Sequence, residues 1–139
     1  MKYLRLILAI AFSFVLFSPS ARAEPASKPA TQSAIRTIDV DEFEKLAADS
    51  TNVILDVRTP EEFAAGHLPN AVNIDFNAED FEQKVAALDK TKTYLVHCAS
   101  GGRSARACKK LDRLDFPSVY NLKGGIAAWE KAGKKVEKP

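Results

Sequence analysis

Two kinds of apolar grouping alternate along this chain. Apolar runs of strand length occur at Asn52 to Val57 and Tyr94 to His97, and shorter candidate strands at Ile35 to Ile38, Ala71 to Ile74 and Pro117 to Asn121. Between them, apolar residues recur three and four apart, the spacing of one helix face. Such stripes are Val40, Phe43, Leu46 and Ala47; then Phe81, Val85 and Leu88; then Ala105, Cys108 and Leu111, continued by Leu114 or Asp115. Polar residues mark where the helices begin. Asp39 with Glu42 three residues on resembles a capping box opening a helix through about Ala48. Thr59-Pro60-Glu61-Glu62 supplies a cap, a proline for the first position and acids for the first turn of a second helix, which stops at Gly66. Three more helices are predicted over Asp80 to Leu88, Arg106 to Leu114 and Ile126 to Ala132, the last preceded by Gly124-Gly125 and ended by Gly133. Unbroken apolar strands are those buried on both faces of a parallel sheet. Strands and helices in alternation therefore predict a single α/β domain, a mainly parallel sheet with helices on both faces. There is no internal repeat.

The first apolar run has a different character. Lys2 and Arg5 precede Leu6 to Phe17, which only Ser13 interrupts; Pro19 follows, and Ala21-Arg22-Ala23 has the small-x-small pattern of a signal-peptidase site. The run is well short of the roughly 20 residues that span a bilayer. Residues 1–23 are predicted to be a signal peptide cut after Ala23, giving a periplasmic or secreted protein with no membrane contact after cleavage. An uncleaved anchor is the competing reading. Residues 24–34, rich in Pro, Ala and Ser, are predicted to be a disordered lead-in, and 35–136 the folded domain. The 116 residues left after cleavage suffice for one core. Charge then changes the picture. The whole chain carries +2, but without Lys2, Arg5 and Arg22 there remain 17 basic and 18 acidic residues, so no charge argument favours nucleic acid.

Candidate chemistry concentrates in the stretch from Tyr94 to Ala105. An apolar run leads into Cys98, Ala99, Ser100, Gly101, Gly102 and Arg103, and a helix follows. In such a strand–loop–helix the loop amides and the free N–H groups of the helix can turn toward one point and form an anion-binding nest. A cysteine at its base has its thiolate favoured by the amides, the helix dipole and Arg103. On the local sequence alone an ordinary buried cysteine beside a glycine turn stays equally open. Topology adds to the reactive reading, because ligands of such sheets sit outside the carboxyl ends of the strands, where Cys98, Asp56 and Arg58 fall. His97 precedes Cys98 on a strand, so alternation turns the two apart and favours a core or supporting histidine over a base. Cys108 lies on a helix face expected to pack on the sheet, as an inert core thiol. A Cys98–Cys108 disulfide is the alternative, since exported proteins meet oxidants. Trp129 reads as a core aromatic.

Three segments together carry a family resemblance. Asp56 to Ala71, which includes Arg58, Gly66 and His67, resembles the first signature of rhodanese-like domains. Cys98 to Arg103 resembles their active-site loop, and Gly124 to Trp129 their C-terminal signature. The likeness covers about Ile35 to Gly133 and is nearest in style to single-domain periplasmic thiosulfate sulfurtransferases. Asn70 departs from the family's usual glycine, but Asn tolerates a left-handed turn. The resemblance implies a rhodanese fold with Cys98 as the nucleophile that forms a persulfide. Ala99, Ser100, Gly101, Gly102 and Arg103 would surround the transferred sulfur, and Asp56, Arg58 and His67 would brace fold and site. It implies no cofactor and no metal. The partners are a small anionic sulfur donor such as thiosulfate and a thiophilic acceptor such as cyanide, with a protein acceptor possible. The loop of six residues is the sulfurtransferase size, one shorter than in the related phosphatases and arsenate reductases. A non-catalytic binding or sulfur-carrier module, and a thiol redox protein using both cysteines, are the alternatives.

Overall fold

The structure is a computed structural model that describes residues 35–139; the expected signal peptide and lead-in lie outside the described residues. Five strands, β1 (Ile35–Ile38), β2 (Val53–Asp56), β3 (Val72–Asn73), β4 (Tyr94–His97) and β5 (Val119–Leu122), alternate with five helices. The helices are α1 (Val40–Ala47), α2 (Pro60–Ala65), α3 (Phe81–Ala86), α4 (Gly102–Arg113) and α5 (Gly125–Lys131). The strands form one sheet in the order β1-β5-β4-β2-β3, and every neighbouring pair is parallel. β4 lies at the centre with all four residues buried, so Cys98 emerges at the middle of the sheet's carboxyl edge.

Two cores explain the unbroken apolar runs. Leu55, Val57, Tyr94, Val96 and Cys98 face a cluster completed by Phe81 and Val85 of α3 and by Ala107, Cys108 and Leu111 of α4. Ile54, Leu95 and Leu122, which alternate with them, face the other side with Phe43 of α1 and Ile126 and Trp129 of α5. Both sheet faces are thus covered by helices, and strand residues of either parity are driven inward by the apolar surface they bury. Trp129 is the core aromatic expected. It meets Phe43 edge-on at 6.1 Å between centroids, and its indole N–H donates to the Lys135 carbonyl.

Several boundaries differ from expectation. α4 starts at Gly102, four residues before the expected Arg106, because Gly101 adopts a left-handed conformation (φ 104°) and its carbonyl takes the Ala105 N–H to close the first turn. The buried face consequently runs through Ser104, Ala107, Cys108 and Leu111, while Asp115 is exposed beyond the helix end. Pro117 stays outside β5, having no N–H to give a strand ladder. Asp39 caps α1 by accepting the Glu42 N–H at 2.9 Å, but the Glu42 carboxylate turns to Arg36 and leaves the capping box open. α2 has the closed box: Thr59 and Glu62 each accept the other's N–H.

Asn70 sits at φ 61°, the left-handed turn in which the family's glycine would be at ease. Replacing Asn70 by Gly should leave stability nearly unchanged. Val at this position should cost about 1–2 kcal/mol, because a β-branched side chain crowds the backbone there. Urea denaturation midpoints of the two variants check both signs.

Candidate active site

The geometry around Cys98 begins with carbonyls. The Cys98 and Ala99 carbonyls accept the N–H groups of Ile126 and Ala127 at 2.8 and 3.1 Å, two donors of the first turn of α5. In a trans peptide the C=O and the following N–H point opposite ways. Anchoring these carbonyls on α5 therefore turns the Ala99 and Ser100 amides back toward the hollow of the loop. The Gly101 N–H donates to Cys98 Sγ at 3.1 Å, and the Ser104 hydroxyl lies 3.4 Å from the same sulfur. That hydroxyl is also 3.1 Å from the Gly101 carbonyl, so its one proton serves either acceptor.

Cys98 is 1% exposed. Burial alone would push its thiol up, but hydrogen bonds from the Ser104 hydroxyl and from the Ser104, Gly101 and Ser100 amides outweigh it, and the net shift is downward. Cys108 lacks any comparable set of donors, and burial pushes it up to about 12. The two cysteines are both free, and only the one in the loop is tuned toward thiolate.

Glycine is required where backbones meet. A Cβ on Gly125 would stand 2.4 Å from the Cys98 carbonyl oxygen and 2.7 Å from that of Ala99, and Gly125 has φ 60°. Gly125 is therefore the reason α5 can approach the loop so closely. Gly101 bends the loop, and Gly102 opens α4.

The supporting residues form a buried brace. Arg58 Nη2 donates to Asp56 Oδ2 at 2.6 Å and to the Gly66 carbonyl at 2.7 Å, tying the end of β2 to the end of α2. Register sets Asp56 beside His97, whose Nε2 lies 3.5 Å from Asp56 Oδ2. Burial lowers the His97 pKa despite the pull of Asp56, so the ring is a neutral core group. His67 stacks on Phe63 at 3.9 Å, and its backbone bridges to Glu137.

Arg103 has a partner that sequence reasoning missed. Its Nη1 and Nη2 donate to Glu62 Oε2 and Oε1 at 2.8 and 2.7 Å. The Arg103 hydrogen bonds hold the Glu62 carboxyl down to about 2, against the cost of its partial burial. Ser104 was also missed; it is the polar residue of the buried α4 face and becomes visible once the helix is started at Gly102. Glu62 offered no cue beyond its place in the capping box. Among the described residues no cluster of His, Cys, Asp and Glu could hold a metal ion.

The structure is thus a parallel α/β sheet whose central strand ends in a cysteine ringed by loop amides. The chain belongs to the rhodanese-like domain family, whose profile matches residues 39–132. A sulfurtransferase of Allochromatium vinosum is 32% identical over 106 residues, spanning 76% of this chain and 97% of that protein. The chloroplastic thiosulfate sulfurtransferase 16 of Arabidopsis thaliana is 37% identical over 89 residues, 57% of this chain and 74% of that one. A rhodanese-related protein from Thermoplasma volcanium superposes with a TM-score of 0.67 at 32% identity, covering 75% of this chain and 99% of its own.

Two expectations follow from this geometry. Gly125→Ala should lower stability by at least about 2 kcal/mol and make Cys98 less reactive toward iodoacetamide, as read by denaturation and by alkylation rate. Acid should weaken the α2–α4 link. A carboxyl whose pKa is lower folded than unfolded gives stability that is full above its unfolded value and lost as pH falls through the folded one. For Glu62 that window runs from about 4.5 down to about 2. With its side chain 35% exposed, solvent screening holds the contribution to about 1 kcal/mol or less. Denaturant midpoints against pH should fall less steeply there in Glu62→Gln.

Proposed function

We propose that this protein is a thiosulfate sulfurtransferase working through a persulfide on Cys98. The observation that carries the reading is Cys98 Sγ accepting the Gly101 N–H with the Ser100 and Ser104 amides alongside. Donors placed in this way stabilise a thiolate, and they remain within reach of an anionic sulfur one bond further out. In the first half-reaction the Cys98 thiolate attacks the outer sulfur of thiosulfate. A new S–S bond forms, the old one breaks, and its electron pair leaves on sulfite. In the second, the cyanide carbon attacks the terminal sulfur, thiocyanate departs, and the pair returns to Sγ. No proton moves in either step, which accords with a nearby imidazole, His97, held neutral by burial. No cofactor is called on. Ala99 to Gly102 bind the transferred sulfur through their backbone. Arg103 contributes positive charge at the start of α4, and Asp56, Arg58 and His67 brace the scaffold. The relative named as a thiosulfate sulfurtransferase supports the donor, and the charged start and small-x-small site of residues 1–23 support export to the periplasm or beyond.

The thiol redox alternative would need Cys108 as a second nucleophile, and burial pushes that thiol up to about 12. Intact-mass spectrometry is the test. Wild type treated with thiosulfate should gain one sulfur atom and lose it to cyanide. Cys98→Ser should gain none and lose thiocyanate formation, while Cys108→Ala should keep most of it. A Cys98→Ser variant active at the wild-type level would overturn the assignment.

A further inference from the structure

The two arginines assigned to the site are already matched by carboxylates. The Arg103 guanidinium donates through both terminal nitrogens to both oxygens of Glu62. Asp75 acts on the same guanidinium. Arg58, the other arginine of the site, is bound to Asp56 and to the Gly66 carbonyl. What faces the sulfur directly is neutral: amides of Ser100, Gly101 and Ser104 and one hydroxyl. Neutral dipoles hold an anion by contact with the atom they touch. An uncompensated arginine instead favours each further negative charge by Coulomb attraction.

We propose that Glu62 is a positioning residue that sets the donor specificity of the site. By matching the charge of Arg103 it lowers the preference for dianionic over monoanionic sulfur donors, so organic thiosulfonates (R–SO2–S⁻) and persulfides (R–S–S⁻) are accepted alongside thiosulfate. The sulfur chemistry follows the same balance, the sulfinate or thiolate leaving with the electron pair of the broken S–S bond. The inference rests on the sulfurtransferase reading for its substrates, but not for its electrostatics. Glu62 also stands in the α2 capping box, accepting the Thr59 N–H at 3.0 Å. Gln fills that box position as well as Glu does, so Glu62→Gln removes the charge and keeps the cap.

The experiment is calorimetric titration of Cys98→Ser and Cys98→Ser/Glu62→Gln with thiosulfate and with methanethiosulfonate, at low and at high salt. The ratio of dianion to monoanion affinity should rise about tenfold with Gln at low ionic strength, and most of that gain should vanish at high salt. Glu62→Asp, which keeps the charge, should keep the original ratio. A ratio that Gln leaves unchanged, or shifts toward the monoanion, overturns the proposal. So does failure of both proteins to bind either anion, since no charge preference would then exist to tune. A ratio that shifts as expected, in a protein whose wild-type Cys98 gains no sulfur from either donor, leaves the charge inference standing and removes the sulfurtransferase reading.

Discussion

Two hydrogen bonds from the first turn of α5 to the Cys98 and Ala99 carbonyls govern the rest of the site. They satisfy donors that a helix start otherwise leaves unpaired, and they fix which way two peptide groups of the loop face. Once the carbonyls are held outward, the amides have only the hollow around Sγ to point into. Against burial, the Cys98 pKa is lowered by neutral donors, the Ser104 hydroxyl first and then the Ser104, Gly101 and Ser100 amides; what α5 contributes is the orientation of the Ser100 amide. It depends on Gly125, because any side chain at that position would strike the carbonyls it has to approach.

Around this centre the polar groups are grouped by pairing. Asp56, Arg58 and the Gly66 carbonyl close the turn between β2 and α2, and Glu62 with Arg103 joins α2 to α4. α2 buries no residue fully, so it is held by these polar links more than by apolar contact. A buried ion pair such as Asp56–Arg58 adds little net stability but strongly disfavours arrangements in which one partner is left alone, and the partly exposed Glu62–Arg103 pair adds a weaker constraint. Their effect is to hold one geometry for the wall of the site.

The alternation of strands and helices, the parallel sheet and both covered faces were legible because each rests on local periodicity. Val53 to Val57 and Tyr94 to Val96 could only be strands buried on both sides. The place of Cys98 at a strand end before a glycine loop was legible too, but its local sequence left a reactive and an ordinary buried cysteine equally open. The start of α4 was misread because Gly101 and Gly102 look like turn residues, and only the left-handed φ of Gly101 lets the helix begin directly behind it. Glu62 and Arg103 are 41 positions apart, and no local rule pairs them; their meeting is a product of how α2 and α4 pack. Gly125 was visible only as part of a family pattern, its reason being a contact made across the sheet edge.

The clamp on the loop comes from the last helix of the fold. While the chain is being synthesised, a segment ending before Gly124 already holds β4, Cys98 and all of α4, yet nothing turns the loop carbonyls outward. Of the donors around Cys98, the Ser104 hydroxyl and amide and the Gly101 amide belong to the loop and α4, while the Ser100 amide is aimed by the Ala99 carbonyl that α5 holds. The outward hold on the Cys98 and Ala99 carbonyls exists only once α5 is docked. The donor set is in this sense completed by chain order: its last amide is aimed only in a domain already assembled around the sulfur.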